Sequence, residues 1–249
     1  MTETSFVGGM HAVKALLKAN ASDTQLLFIQ KGRKDSRVRA IVSLAQKAQI
    51  PVREVSKREL DEAGGGIEHQ GVLAEFRGEP VGNEASLFEH LESCDGPVFV
   101  LVLDGLQDPH NLGACIRSAD AAGVDAVIVP VDNSAGITPV VRKVAAGAVE
   151  TMPVFQVTNL QRVLKKLQTA GIWIYGADGE ADGALYDLDL VGSIAIVMGS
   201  EGSGMRRLTR EACDGLFNIP MHGSVSSLNV SVATGISLFE VCRQRRLSV

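Results

Sequence analysis

The sequence lacks the features of membrane, secreted and repetitive proteins. No apolar run approaches the roughly 18 residues of a membrane-spanning helix, so we expect no membrane partner. Residues 1–9 lack the basic and then apolar profile of a signal peptide. Internal repeats and low-complexity tracts are absent as well. We therefore expect a cytoplasmic protein.

Metal-binding and dinucleotide-binding patterns are also missing. The 4 cysteines form no CxxC pair and the 5 histidines form no HxxxH or HExxH cluster, so the sequence predicts no metal site. Cys115 and Cys242 stand in apolar helical stretches and are expected to be small buried residues. The fingerprint GxGxxG is absent, which disfavours a nicotinamide-dependent oxidoreductase.

Acidic residues outnumber basic ones, and the excess is unevenly distributed. The formal net charge is −5. Residues 1–77 carry 12 basic and 9 acidic side chains, a balance of +3, whereas residues 78–249 carry 12 and 20, a balance of −8. A basic module that holds a polyanion beside an acidic module with another task would produce this split. An ordinary fluctuation of surface charge would produce it too.

Hydrophobic patterning divides the chain into two α/β modules joined by a linker. Residues 1–77 alternate helices and strands around a basic loop at residues 31–34. Residues 78–96 form the linker, which is polar, contains glycine and proline, and includes a helix at 86–92. Residues 97–249 alternate strand and helix, and their continuous apolar strands are typical of a parallel sheet covered on both faces.

The predicted elements follow the period of the apolar residues. In the first module they are a helix at 10–17, strands at 25–30, 51–55 and 71–76, and a second helix that contains Val38 and Ile41. In the second module the predicted strands are 98–103, 126–131, 172–176, 194–199 and a short one before Pro220. The predicted helices of that module are 111–122, 138–148, 159–170, 205–213 and 228–246.

Three polar segments each follow a buried strand, which is where ligand sites form in parallel α/β sheets. They are a turn and helix start, a glycine-rich loop and a serine-rich loop. The candidate site residues are Asn111 and Arg117 in the first, Gly199 and Glu201 in the second, and Ile219, Ser227, Leu228 and Asn229 in the third. Glycines let a backbone approach a flat ligand closely. Buried polar groups need partners, and a substrate is one candidate for that role.

Most of these candidates also have an ordinary structural interpretation. These interpretations are a helix N-cap for Asn111 and for either Ser226 or Ser227, an ion pair with Asp120 for Arg117, a solvated turn position for Glu201, and core positions for Ile219 and Leu228. Taken one at a time, the segments therefore do not separate a ligand site from common features of α/β folds.

The three segments taken together resemble the motifs of the SpoU branch of the SPOUT superfamily, the trefoil-knotted RNA methyltransferases. The matching motifs are NxGxxxR from Asn111 to Arg117, MGxEGxG from Met198 to Gly204, and IPMxGxxxSLNVS from Ile219 to Ser231. Residues 8–17 and 69–72 resemble the RNA substrate-binding domain of this SpoU/TrmH family. Residues 104–115, 117–123 and 204–211 are most similar to members that methylate a guanosine ribose in the peptidyl-transferase loop of 23S ribosomal RNA.

The resemblance implies transfer of a methyl group from S-adenosylmethionine to a ribose 2′-hydroxyl by a homodimer. It implies an α/β fold with a knotted methyltransferase domain over residues 97–249 and an RNA-binding domain over residues 1–77. The residues at the family's cofactor-binding positions are Gly199, Ile219 and Leu228, and those at its catalytic positions are Asn111, Arg117, Glu201, Ser227 and Asn229.

The resemblance leaves two roles open for Arg117 and two rival functions for the chain. Arg117 would either remove the hydroxyl proton or grip the adjacent phosphate, and a guanidinium resists deprotonation. Asn111, Ser227 and Asn229 would orient Arg117 and the ribose, while Glu201 would fix its loop or neutralise Arg117. The rival functions are a transfer-RNA ribose methyltransferase of the same fold and a ribosome-assembly factor without catalysis.

Overall fold

The chain divides into two α/β units, each with its own sheet. The computed structural model describes residues 4–19, 21–33, 35–77 and 81–248. One unit contains residues 1–80 and 145–151, and the other contains residues 81–144 and 152–249. Within the described ranges, every helix is too short or too polar to cross a bilayer.

The first unit is built on a sheet with the strand order β1-β4-β2-β3. β4 is antiparallel to both β1 and β2, and β3 is parallel to β2. The strands are β1 (Thr4–Gly8), β2 (Thr24–Gln30), β3 (Val52–Val55) and β4 (Val72–Arg77). The helices are α1 (Met10–Ala19), α2 (Ser36–Lys47) and α3 (Lys57–Gly64), with a 3-10 turn at Ala21–Asp23. The elements predicted in this unit are confirmed to within two residues.

Two elements of the first unit, β1 and α3, escaped prediction. α3 is strongly polar and buries only Leu60 and Gly64, so it has no apolar period to detect. It is specified by a capping box, in which Ser56 and Glu59 each accept a hydrogen bond from the backbone of the other.

The predicted basic loop at residues 31–34 is only partly described. Its fourth residue, Lys34, lies outside the described residues. Arg33 forms an ion pair with Asp35 at 3.0 Å and donates a hydrogen bond to the carbonyl of Gln70. This arginine therefore ties the loop to the segment that precedes β4.

The second unit contains a parallel sheet with the strand order β10-β8-β9-β5-β6-β7. Its strands are β5 (Phe99–Asp104), β6 (Ala126–Pro130), β7 (Val154–Val157), β8 (Trp173–Ala177), β9 (Ile194–Gly199) and β10 (Gly215–Phe217). Its helices are α4 (Glu84–Glu92), α5 (Pro109–Ala122), α6 (Pro139–Ala145), α7 (Leu160–Thr169), α8 (Arg207–Glu211) and α9 (Val230–Leu247). A 3-10 turn lies at Leu185–Asp187, whereas the one at Ala148–Glu150 belongs to the first unit.

The central strands of the second unit are buried on both faces, as their continuous apolar runs predict. Every residue of β5 and β6 is buried, and so is β9 up to Met198. One face of the sheet packs against α7, which contributes Leu160, Val163, Leu164 and Leu167 to the core. The sheet is therefore a rigid base for the loops that follow its strands.

Helix boundaries in the second unit differ from prediction where a cap or a turn intervenes. α5 begins at Pro109 rather than at Asn111, because Asp108 is the N-cap and accepts a hydrogen bond from the His110 amide at 2.9 Å. The N-cap interpretation of Asn111 is therefore wrong. α6 ends at Ala145 rather than at 148, since Ala146 and Gly147 take left-handed conformations with φ of 53° and 98°.

The remaining differences are small. α4 begins at Glu84 rather than 86, because Asn83 caps it in a box with Ser86. α8 spans Arg207–Glu211 rather than 205–213, and the four-residue strand β7 was not predicted. Cys115 is fully buried as predicted, and burial raises the pKa of its thiol to about 11. Cys242 is only half-buried, and its thiol donates to the carbonyl of Ala122 at 3.2 Å.

Candidate functional site

The carboxyl ends of four neighbouring strands, β10, β8, β9 and β5, form one edge of the parallel sheet. A cleft of about 440 Å³ opens at this edge, in the position expected for a ligand site in such a sheet. Its walls come from the segments that follow β8, β9 and β10 and from the start of α9. The lining residues are 177–179, 198–202, 204, 217–219, 221, 226–230 and 233.

The glycine-rich loop after β9 forms one wall of the cleft. Ser200 and Gly204 exchange two backbone hydrogen bonds, each 2.9 Å long, which close the loop into a tight turn. Gly202 and Gly204 take left-handed conformations with φ of 83° and 67°. At Gly199 any Cβ would overlap the backbone of Gly204 and Met205. The sequence predicts that these glycines let the backbone approach a ligand closely. In the structure they also let one part of the loop's backbone approach another part of the same loop.

A chain of hydrogen bonds joins the three polar segments. The Glu201 carboxylate accepts a hydrogen bond from Asn111 Nδ2 at 3.0 Å. Asn111 Oδ1 in turn accepts from Asn229 Nδ2 at 3.0 Å. Asn229 Oδ1 accepts from the backbone amide and the hydroxyl of Ser231, at 2.9 and 2.6 Å. The fold thus brings together Asn111, Glu201 and Asn229, which lie in three separate parts of the sequence.

Asn229 also begins the last helix. It is the N-cap of α9, through its bond to the Ser231 amide. Neither Ser226 nor Ser227 has this role, so their interpretation as a helix cap is wrong. Ser227 is exposed and lines the cleft.

Residues 219–228 form a stretch of backbone that is open to a ligand. Among the residues that the structure describes, none donates or accepts a hydrogen bond with any part of this stretch. Ile219 and Leu228 are half-buried and line the cleft, so they are not fully enclosed core residues. The cleft therefore combines apolar side chains with unused backbone donors and acceptors.

Arg117 lies apart from the other candidate residues. It is exposed on α5 and is not among the residues that line the cleft. No hydrogen bond or ion pair joins it to another described residue, so the pair considered with Asp120 is not formed. Glu201 is bonded to Asn111 instead. Positions 111 and 117 point in directions about 120° apart around the helix, which accounts for the separation.

Two ion pairs that were not predicted hold α8 over the strand ends. The Asp104 side chain is fully buried at the end of β5, and it accepts hydrogen bonds from the amide and Nε of Arg206 at 2.8 and 2.6 Å. Asp178, which follows β8, accepts from Arg210 Nε at 2.6 Å. The sequence signal was an acid directly after a buried strand, but such acids are also common in turns.

Family comparisons give two matches along the chain. A profile described as the SpoU rRNA Methylase family matches residues 98–239. A profile described as RNA 2'-O ribose methyltransferase substrate binding matches residues 6–80. The two matched regions correspond to the parts of the sequence that suggested the family resemblance.

Known proteins of similar sequence and structure agree with these profiles. The chain is 55% identical over 245 residues to the 23S rRNA (guanosine-2'-O-)-methyltransferase RlmB of Pseudomonas aeruginosa, covering 98% of each chain. It is 51% identical over 247 residues to the enzyme of that name from Pseudomonas putida, covering 99% of each. The fold is similar to that of the SpoU methyltransferase AviRb from Streptomyces viridochromogenes in complex with AdoMet, with a TM-score of 0.81, 22% identity, and coverage of 99% of this chain and 92% of that one.

The close backbone approach at Gly199 predicts a stability defect in Gly199→Ala. Because the overlapping atoms belong to backbone, the loop must move, and we expect the free energy of unfolding to fall by about 1–3 kcal/mol. Gly192→Ala is the control, since a Cβ at Gly192 meets no atom within 4 Å. Its stability in urea denaturation should stay within about 0.5 kcal/mol of wild type. Equal stabilities for the two variants would contradict the packing argument.

The buried carboxylate of Asp104 predicts a second stability effect. Asp104→Asn keeps the shape of the side chain but removes the charge that holds Arg206, so the free energy of unfolding should fall by about 1–3 kcal/mol. Arg207→Gln is the control, because it breaks an ion pair whose partners, Arg207 and Glu211, are 77% and 55% exposed. This variant should cost less than about 1 kcal/mol. Thermal or urea unfolding of both variants measures these free energies. If Asp104→Asn is as stable as wild type, the Asp104–Arg206 pair does not have the stabilising role given to it.

Proposed function

The chain belongs to the SpoU rRNA methylase family, and from this membership we propose that it methylates a guanosine ribose 2′-hydroxyl in the peptidyl-transferase loop of 23S ribosomal RNA. The observation that carries the proposal is the 55% identity to the Pseudomonas aeruginosa enzyme, which extends over both units of the fold. The hydrogen-bonded chain of Asn111, Glu201 and Asn229 beside the cleft supports it, because it joins one residue from each of the three family motifs.

The residues of the cleft fit S-adenosylmethionine. Adenine is a flat heterocycle with polar edges, and it needs apolar contact on its faces and hydrogen-bonding groups around its rim. The half-buried Ile219 and Leu228 offer the first, and the unbonded backbone of residues 219, 221 and 226–228, which line the cleft, offers the second. Gly199 lets the glycine-rich loop close on itself, and it lines the cleft. We assign cofactor binding to Gly199, Ile219 and Leu228.

The obstacle in the reaction is the nucleophile. S-adenosylmethionine, when bound, supplies a methyl group that is already activated by the positive charge on its sulfur. The ribose oxygen must form a bond to the methyl carbon while the carbon–sulfur bond breaks and its electron pair stays on sulfur. The hydroxyl proton must leave, because the neutral hydroxyl attacks poorly. Much of the rate therefore depends on alignment by the protein.

The site residues align and stabilise the reacting hydroxyl in this proposal. The hydrogen-bond chain holds Asn111, Glu201 and Asn229 in fixed positions, so the groups facing the ribose need little reorganisation. Ser227 adds a hydroxyl on the wall of the cleft. Glu201 fixes the glycine-rich loop through Asn111.

Arg117 is assigned to the RNA rather than to the cofactor. Its guanidinium is exposed and is bonded to no described residue, so it is free to take a phosphate in bidentate fashion. Since Arg117 does not line the cleft of its own chain, we propose that it completes the cleft of a second subunit. If Arg117 binds a phosphate beside the reacting hydroxyl, its positive charge lies near the oxygen on which negative charge develops.

The proposed homodimer has a candidate contact on α9. Val232 and Phe239 are 49% and 52% exposed, and their spacing of about two helical turns puts them on one side of the helix. The opposite side packs against α5, where Cys115 Sγ lies 3.4 Å from Thr234 Oγ1. An apolar stripe of this kind suits burial against a second copy of the chain.

The remaining assignments follow from the substrate. We propose that residues 1–77 are a domain that holds the RNA, residues 78–96 a linker, and residues 97–249 a trefoil-knotted methyltransferase domain. The profile match at residues 6–80 and the charge balance of +3 support the first assignment. We also propose a cytoplasmic location, which a bacterial ribosomal RNA substrate supports.

Purified protein should methylate ribosomal RNA and not transfer RNA. With methyl-labelled S-adenosylmethionine, the label should appear in 2′-O-methylguanosine after nuclease digestion of a 23S fragment that contains the peptidyl-transferase loop. Transfer RNA is the comparison substrate and should remain unlabelled. Label on a base, or preferential labelling of transfer RNA, would disprove the proposal as stated.

Arg117→Ala should lower turnover at least about a hundredfold while cofactor affinity changes little, the pattern of an interaction made mainly in the transition state. Single-turnover methylation and calorimetry measure the two quantities. Lys165→Ala is the control, because it also removes one exposed positive charge from a helix of the same unit. Arg117→Lys separates the two roles, since rescue at high pH indicates a base and failure at every pH indicates the bidentate grip. If Arg117→Ala keeps the turnover of wild type, Arg117 is neither the base nor the phosphate-binding group.

A further inference from the structure

The charge on the walls of the cleft has one sign. In the part of the chain that the structure describes, the charged residues that line the cleft are Asp178 and Glu201, and both are acidic. Arg206 and Arg210 belong to the segment that covers the strand ends, but neither lines the cleft. A ligand that carries a positive charge is therefore favoured over a neutral ligand of the same shape.

Asp178 is held in place as a charged group. Its Oδ2 accepts a hydrogen bond from Arg210 Nε at 2.6 Å, and its Oδ1 accepts from the Glu180 amide at 2.9 Å. These bonds, led by the one from Arg210, keep the pKa of the Asp178 carboxyl below its usual value, so it is ionised at neutral pH. The Asp178 side chain is 18% exposed and that of Arg210 is 48% exposed. Water therefore screens the arginine more than it screens the carboxylate.

We propose that Asp178 is a specificity-determining residue, whose carboxylate makes the cleft prefer the sulfonium form of the cofactor over its neutral thioether product. The inference rests on the proposed function. When the methyl group leaves, the carbon–sulfur electron pair stays on sulfur and the positive charge of the sulfonium disappears. The acidic cleft then holds the product less tightly than the cofactor, which assists exchange after each turnover. Arg210 moderates this preference by partly neutralising Asp178.

The test is the ratio of two dissociation constants, measured by calorimetry on the full-length protein. S-adenosylmethionine and S-adenosylhomocysteine are titrated into wild type, Asp178→Asn, Arg210→Gln and the double variant. Asp178→Asn should reduce the preference for the sulfonium about three- to tenfold, the range expected for one partly screened charge. Arg210→Gln should increase the preference, because it leaves Asp178 unneutralised. The double variant should match Asp178→Asn.

Asp182→Asn is the matched control. It removes the same charge from an exposed position four residues along the chain that does not line the cleft, and it should leave the ratio unchanged. Thermal unfolding of every variant shows whether each is folded at the temperature of the titration. Arg210→Gln leaves the Asp178 side chain intact, so the proposal remains testable if Asp178→Asn is unstable.

The opposite signs expected for the two variants separate an electrostatic role from a structural one. If both variants weaken both ligands equally, the Asp178–Arg210 pair only supports the loop, and the proposal is wrong. If only Asp178→Asn weakens binding, and weakens it equally for the two ligands, the carboxylate binds a group that both ligands share. That result also overturns the proposal. If wild type binds neither ligand, the proposed function itself fails, and this inference fails with it.

Discussion

The site depends on the side-chain amide of Asn111. Asn111 is buried, with an exposed fraction of 8%, so the donor and acceptor of its side chain need partners within the protein. It finds them in Glu201 and Asn229, which are separated from it by 90 and 118 positions along the chain. Leaving one such group unpaired costs about 1–3 kcal/mol. The requirement to satisfy one buried amide thus holds the glycine-rich loop and the start of α9 in register.

The sheet itself adds a second level of order. β9 lies between β5 and β8, and each of these neighbours is followed by, or ends in, an acid that binds an arginine near α8. Asp104 and Asp178 therefore secure the segment that follows β9 from both sides. The stability of the fold and the geometry of the cleft therefore depend on the same two ion pairs. A change to either acid alters both properties together.

The sequence predicts the parallel sheet well, because short continuous apolar runs such as 98–103 are typical of strands that are covered on both faces. It does not predict α3, whose residues are nearly all polar, or β7, which is too short to show a period. The motifs identify Asn111, Glu201 and Asn229, and the structure explains their grouping. The partners of Asp104 and Asp178 could not be predicted, because each pair joins residues that are close only after the chain has folded.

The position of β9 also bears on how the protein is made. β5 pairs with β9, whose first residue follows that of β5 by 95 positions, so the centre of the sheet is completed by the C-terminal half of the chain. While a ribosome is still synthesising residues before 194, β5 has an open edge and an apolar surface. Such surfaces aggregate readily. Nascent chains of this enzyme therefore expose an aggregation-prone edge until β9 is made, and none can act on ribosomal RNA before its own translation is nearly finished, since the cleft is lined by residues up to 233.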